Sequence, residues 1–149
     1  MGKEIERKFL IKELPANLSE YPFHELTQGY LNTDPVVRVR KEDDHYYLTY
    51  KGKGFIEKEE YNLPLNEDAF LHLLPKADGN IISKKRYLIP CDPYTIELDV
   101  FDKPFAPLII AEVEFPTLEE AKAFTPPEWF AKDVTGDYHY SNSYLSQKK

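Results

Sequence analysis

Glu4, Glu6 and Lys8 stand at every-other-residue spacing in the segment Glu4-Ile5-Glu6-Arg7-Lys8, and that spacing makes them a chemical unit. In a β-strand, residues two apart point to the same face, so the two carboxylates and the ammonium share one surface while Ile5 and Phe9 take the other. Carboxylates that can ligate a hard cation, beside a lysine that can hold an anion, suit an oligophosphate bound with its divalent metal. A single triplet of this kind also fits a solvated strand edge. Recurrence along the chain decides between the two.

The pattern does recur. Arg38 and Arg40 alternate with Val37 and Val39; Thr49 and Lys51 alternate with Leu48 and Tyr50; Glu60 and Asn62 alternate with Tyr61 and Leu63. Lys84 and Arg86 follow, then Glu97 and Asp99 against Ile96, Leu98 and Val100, then Glu112 and Glu114 against Ala111, Val113 and Phe115. One face therefore collects Glu4, Glu6, Glu60, Glu97, Asp99, Glu112 and Glu114 with Lys8, Arg38, Arg40, Lys51, Lys84 and Arg86. Three of these six bases are Arg, the side chain suited to bidentate phosphate recognition. The acids lie on strands near the two ends of the sequence and the bases between them, whereas a solvated face intersperses its signs. The expectation is a sheet closed with this face inward, a polar tunnel with a carboxylate wall and a basic wall. Glu59 and Glu60 are neighbours, and a one-residue bulge would exchange which of them faces inward.

The elements that must position these residues are mostly strands, at about Lys3–Ile11, His24–Leu31, Val36–Lys41, His45–Lys51, Ile56–Leu63, Asn80–Ile89, Thr95–Phe101 and Leu108–Phe115. Asp43-Asp44 reads as a hairpin turn and Lys51-Gly52-Lys53-Gly54 as a hairpin loop. Asn66 can cap a helix carrying Phe70, Leu71, Leu73 and Leu74. Thr117-Leu118-Glu119-Glu120 fits a capping box, and Ser141 can cap a short last helix. The predicted fold is mainly β (α+β): an eight-stranded antiparallel closed barrel with a few short helices packed outside, one domain over residues 1–149.

Composition narrows the partners. The net charge of −7 repels nucleic acid and acidic membranes, so any bound anion must be held by a local cluster of bases. The single cysteine, Cys91, excludes an intrachain disulfide and a cysteine metal site, and the four histidines show no ligand spacing. Oxygen ligands alone point to Mg²⁺ or Mn²⁺. No apolar run approaches the roughly 18 residues that span a bilayer, and a cytoplasmic setting is expected. The tyrosines of the last segment, Tyr138, Tyr140 and Tyr144, are expected to pack against the barrel.

The chain resembles the CYTH superfamily, the triphosphate tunnel metalloenzymes. The opening Glu-x-Glu-x-Lys matches that family's hallmark. The resemblance continues through Gln28-Gly29-Tyr30-Leu31, Val37-Arg38-Val39-Arg40, Leu48-Thr49-Tyr50-Lys51, Glu60-Tyr61-Asn62, Lys84-Lys85-Arg86-Tyr87, Ile96 to Phe101, Ala111-Glu112-Val113-Glu114 and Val134 to Asn142. It implies an eight-stranded tunnel and metal-dependent chemistry on triphosphates. Lys8, Arg38, Arg40, Lys51, Lys84 and Arg86 would clamp the triphosphate. Glu4, Glu6 and Glu114 would be the main ligands of two Mg²⁺ or Mn²⁺ ions, supported by Glu112, Asp99 and Glu97, with Glu60 or Glu112 orienting the attacking water. Tyr30 corresponds to a tyrosine that partners the hallmark lysine in some bacterial relatives. Position 62, often acidic in relatives, is Asn here.

The expected activity is hydrolysis of tripolyphosphate or another triphosphate-containing small molecule. An adenylate cyclase or a thiamine triphosphatase on the same scaffold is the alternative, with ATP or thiamine triphosphate as substrate and Trp129 or Phe130 lining a pocket for the organic group. A non-catalytic polyphosphate or nucleotide binder is the third reading. Apolar outer strand faces that two helices cover only in part make a homodimer an expectation.

Overall fold

The computed structural model describes residues 3–53 and 56–148, without the side chain of Lys3. Nine strands form one sheet: β1 (Lys3–Ile11), β2 (Phe23–Thr33), β3 (Val36–Glu42), β4 (His45–Lys51), β5 (Glu57–Leu65), β6 (Asp78–Cys91), β7 (Tyr94–Phe101), β8 (Ile109–Glu114) and β9 (Phe130–Asp133). The first eight lie within a few residues of the expected positions. Their order is β5-β4-β3-β2-β6-β7-β8-β1, and β1 pairs with β5 to close the ring, antiparallel throughout. The sheet is thus a closed eight-stranded antiparallel barrel.

Among the described residues Lys3–Ile5 pair with Glu57–Glu59, and the Glu6 amide donates to the Ile56 carbonyl at 3.1 Å. Farther along the same edge of β1, β9 takes over, through Phe9↔Asp133 and Ile11↔Phe130. This ninth strand has no counterpart in the sequence reading, because four residues with one strongly apolar member show no period to detect.

Local signals account for the turns and helices. Asp43 sits at φ +53° in the β3–β4 turn, a left-handed conformation that Asp tolerates. Its side chain accepts from the Glu25 amide at 2.9 Å, tying the turn to β2. The hairpin loop expected at Lys51–Gly54 falls partly outside the described residues, since Gly54 is not among them. Helix α1 (Glu67–Leu73) is capped by Asn66, which accepts from the Ala69 amide, and α2 (Leu118–Ala123) by Thr117, which accepts from the Glu120 amide. Ser141 caps α3 (Asn142–Gln147) in the same way, through the Tyr144 amide.

Two apolar clusters hold the barrel. The first lies outside it, where Ile5, Phe9, Ile96, Leu98 and Val113 are covered by Ala121 of α2 and Phe130 of β9. Arg7, facing outward beside them, donates to the carbonyls of Ala121 and Phe124 and pairs with Asp133 at 2.8 Å. The second cluster seats the last helix. Tyr30 and Ile82 gather with Phe101, Ile110 and Leu145, so α3 lies across one end of the barrel. Gly79, at φ +68°, makes room for it, since a Cβ there would stand 2.0 Å from the Ser146 carbonyl oxygen. Asn80 donates to the Leu145 and Lys148 carbonyls and fixes the helix end. Among the described residues no helix is long and apolar enough to cross a membrane. On the outer face of β4 and β5, Tyr50, Tyr61 and Leu63 remain exposed.

Candidate active site in the barrel interior

Closing the ring brings the two acidic ends of the sequence together. Glu6 lies opposite Glu114, Lys8 opposite Glu112, and Glu97 opposite Glu112, so β7, β8 and β1 form a continuous carboxylate wall. Facing it are the basic strands β3, β4 and β6. Between them is a cavity of about 200 Å³ with no apolar side chain in its lining among the described residues. Of the expected residues, Glu4, Glu6, Lys8, Arg38, Arg40, Lys51, Glu60, Arg86, Glu97, Glu112 and Glu114 all line it. Glu60 is the inward member of its pair: it approaches Lys51 at 3.6 Å and Arg38 at 3.9 Å, while Glu59 is exposed.

Lys84, Asp99 and Tyr30 stand behind this surface. Asp99 and Lys84 are fully buried, 2.6 Å apart, and Arg86 grips both oxygens of Asp99 at 2.7 and 2.9 Å. Desolvation pushes the Asp99 carboxyl up, but Arg86 and Lys84 outweigh it and hold it below its ordinary value. Burial brings the Lys84 ammonium down to about 8, with Asp99 opposing and Arg86 adding to the shift. Asp99 therefore fixes Arg86 at the cavity wall and Lys84 behind it. The Tyr30 hydroxyl accepts from Arg38 Nη1 at 3.4 Å, inside the second apolar cluster.

The carboxylate wall is electrostatically uneven. Burial, then Glu112 and Glu4, push the Glu6 carboxyl up to about 8, against Lys8 and Lys51. Burial with Glu4, Glu97, Glu60 and Glu112 pushes Glu114 up to about 7. Glu97 is also raised, by burial first. Glu112 goes the other way. Desolvation is outweighed by Arg86, Lys8, Lys84 and Lys51, which hold it well below the ordinary carboxylate range. Glu4 is lowered too, because Lys51, 2.9 Å from its Oε1, offsets burial. On the basic side, burial, Arg38 and Arg86 bring Arg40 down to about 10, still a cation at neutral pH. Its Nε donates to Gln28 Oε1 at 2.7 Å.

A divalent cation fits this wall. Glu6, Glu114 and Glu97 are carboxylates raised by burial and by neighbouring acids, the condition that a hard cation relieves. Glu4 Oε1 is buried and, despite the nearby ammonium, receives no well-directed hydrogen bond. Among the described residues no three acids converge as a ready cage. That arrangement suits Mg²⁺, which ordinarily takes one or two carboxylates and completes its shell with water and substrate phosphate oxygens.

Several further residues of the barrel interior lie outside the inward face read from the sequence. Glu42 continues the Arg38, Arg40 period but lies one residue past the expected end of β3. Gln28 occupies an inward position of β2, fully buried, where the alternation was not followed. Lys58 precedes Glu60 by two in β5 and lines a second, adjoining cavity. Asn142 reaches the central cavity from α3 and accepts from Lys84 Nζ at 3.1 Å, a contact with no local signal. Trp129 and Phe130, expected near a tunnel mouth, belong instead to the outer apolar cluster, with Phe130 4.8 Å from Phe9 between ring centroids. They cannot line a pocket for an organic group.

Comparison with known proteins agrees with this geometry. The CYTH domain model matches residues 2–142. A protein of Nitrosomonas europaea named inorganic triphosphatase is 39% identical over 149 residues, covering 96% of each chain. One of the same name from Acetivibrio thermocellus is 38% identical, covering 97% of this chain and 94% of its own. A solved crystal structure of an inorganic triphosphatase superposes with a TM-score of 0.73 at 36% identity, covering 98% of this chain and 95% of that one. The chain belongs to the CYTH domain family.

Proposed function

We propose that this protein is an inorganic triphosphatase, hydrolysing tripolyphosphate to pyrophosphate and orthophosphate with a divalent cation, Mg²⁺ or Mn²⁺. The observation that carries this reading is the central cavity: bases on one wall, acids on the other, and, among the described residues, no apolar side chain between them. A nucleobase or thiazole would find nothing there to pack against, whereas a bare phosphate chain meets charge along its whole length. The names of the two relatives at 38–39% identity point the same way.

In this reading Arg38, Arg40, Lys51 and Arg86 hold the phosphate oxygens from one side and Lys8 from the other. Lys84 and Asp99 act through Arg86, keeping its guanidinium oriented. Glu4, Glu6 and Glu114 would hold the cations, with Glu97 and Glu112 beside them. When bound, such an ion polarises the phosphoryl oxygens and neutralises charge as the anhydride breaks. Of the two acids suited to orient the water, Glu112 is held well below the ordinary carboxylate range by four bases and makes a poor proton acceptor. Glu60 touches Lys51 and Arg38 only at 3.6 and 3.9 Å, contacts that incoming phosphate would loosen. We assign the water to Glu60. Tyr30, through Arg38, is a positioning residue.

The test is a panel of tripolyphosphate, ATP and thiamine triphosphate with Mg²⁺, Mn²⁺ and Ca²⁺, followed by product analysis. Preferred release of orthophosphate and pyrophosphate from tripolyphosphate is expected. Cyclic AMP as the main product, or tight tripolyphosphate binding without phosphate release under any ion, would overturn the proposal.

A further inference from the structure

Lys84 is a base that a substrate in the barrel cannot reach. Its side chain has no exposed surface, and it lines neither the central cavity nor the one beside it. Two neighbours take its ammonium: Asp99 at 2.6 Å and, from α3, Asn142 Oδ1 at 3.1 Å. Asn142, unlike Lys84, lines the central cavity.

An ammonium carries N–H groups and no lone pair, so whatever faces it must accept. The Asn142 amide is thereby fixed with its oxygen toward Lys84 and its nitrogen turned away. Among the described residues nothing accepts from that nitrogen. The hydroxyls on either side of Asn142 are engaged. Ser141 Oγ donates to the Tyr138 carbonyl at 2.7 Å and accepts from the Tyr144 amide, and Ser143 Oγ lies 3.2 Å from it. Both serines line the adjoining cavity and not the central one. Asn142 is also held in place, since Asn80 bonds the far end of α3 and Leu145 is buried in the second apolar cluster.

A fixed amide with two free N–H groups is a preorganised donor. Its hydrogen bond to a buried cation strengthens the donors at its other end. Such a donor adds a contact to an oxyanion without adding charge to bases that already crowd one another, as Arg38 and Arg86 crowd Arg40. Phosphate oxygens, acceptors only, are the complement.

We propose that Asn142 is a substrate-binding residue: its Nδ2 donates to a phosphate oxygen in the central cavity, and through its amide the buried Lys84 acts on a substrate it cannot touch. The inference rests on the triphosphatase reading and adds to the clamp of bases a neutral donor carried by α3.

The experiment measures KM and kcat for tripolyphosphate with one divalent ion, the calorimetric Kd of tripolyphosphate without metal, and thermal melts, in the wild type, Asn142→Ala and Asn142→Asp. Asn142→Ala should raise KM and Kd roughly tenfold, the loss of one hydrogen bond to a charged acceptor. Asn142→Asp still accepts from Lys84 but offers no donor. It should weaken binding at least as much while melting no lower than the wild type, whereas Asn142→Ala should melt lower. Binding within about twofold of the wild type in either variant reduces Asn142 to an acceptor for Lys84 and sinks the proposal. Should Asn142→Ala fail to fold, Asn142→Asp decides alone. A wild type that binds tripolyphosphate without releasing phosphate sinks the triphosphatase reading, and the Kd values then judge the contact by themselves.

Discussion

Glu6 and Glu114 lie directly opposite each other across the β1–β8 pair, two carboxylates facing the same cavity. Like charges in this position oppose folding, and both carboxyls are raised, to about 8 and about 7. Glu114→Gln should therefore stabilise the metal-free protein, by roughly 0.2–1 kcal/mol in a urea melt at neutral pH. Turnover should fall by more than the roughly 10–100-fold carried by the outer partners of a metal. A variant less stable than wild type and fully active would remove Glu114 from the wall.

Because no three acids form a cage among the described residues, metal and substrate should bind as a pair. Calorimetric titration of Mg²⁺ should show weak binding to the free protein. Bound tripolyphosphate, under conditions too brief or too cold for turnover, should strengthen it by roughly 5–150-fold, the usual range of a coupling between sites. Affinity independent of tripolyphosphate would contradict the shared-shell arrangement, and activity surviving EDTA would contradict metal dependence.

Asp99 is wrapped by Lys84 and Arg86 at 2.6–2.9 Å with no exposed surface. Asp99→Asn strands two buried cations, a loss of about 3–5 kcal/mol. The same loss should appear with and without Mg²⁺. A destabilisation seen only in the presence of metal would make Asp99 a ligand in its own right.

Gln28 holds Arg40 through one 2.7 Å bond. Gln28→Leu leaves the Nε of half-buried Arg40 without this acceptor, costing about 1 kcal/mol. It should also raise KM for tripolyphosphate, because Arg40 is free to swing. An unchanged KM would show that Arg40 is oriented by its other neighbours.

Asp133, far from the cavity, links β9 to Arg7 on the outer face. Burial raises its carboxyl, but the bonds from Thr135 and Arg7 prevail and lower it. A depressed acid contributes stability at neutral pH that is lost as pH falls through its folded-state value. Below about pH 4, the ordinary aspartate value, the wild type should lose stability more steeply than Asp133→Asn in thermal melts. Parallel curves would mean that the pair is fully screened.

The inward-facing residues of β1, β3, β4, β7 and β8 were legible because each strand alternates cleanly, so that one correct residue fixes the rest. β5 was harder. In Glu57-Lys58-Glu59-Glu60 every position is charged, and no apolar residue marks the outer face, so nothing in the pattern singles out Lys58. The second apolar cluster was hidden for the opposite reason: Ile82 and Ile110 share the period of Lys84 and Glu112 but are apolar. An alternation read for charge does not show that the barrel changes character along its axis. The place of α3 across the barrel end, and Asn142 with it, depends on packing against Gly79 and Asn80, contacts between segments far apart in the chain. Asp99 appeared in sequence as one more wall carboxylate, because periodicity gives a direction and not a depth.

The closure of the ring also has a meaning for how the protein is made. Glu4, Glu6 and Lys8 leave the ribosome before the strands they need, because β1 meets β5, β8 and β9 only when residues 57–59, 111–114 and 130–133 exist. Until then β1 is an unpaired edge, the kind of segment that recruits neighbours into aggregates. Its alternating acids and bases repel such pairing. The charges that would bind metal and phosphate in the finished enzyme thus guard the nascent chain while it waits for its partners.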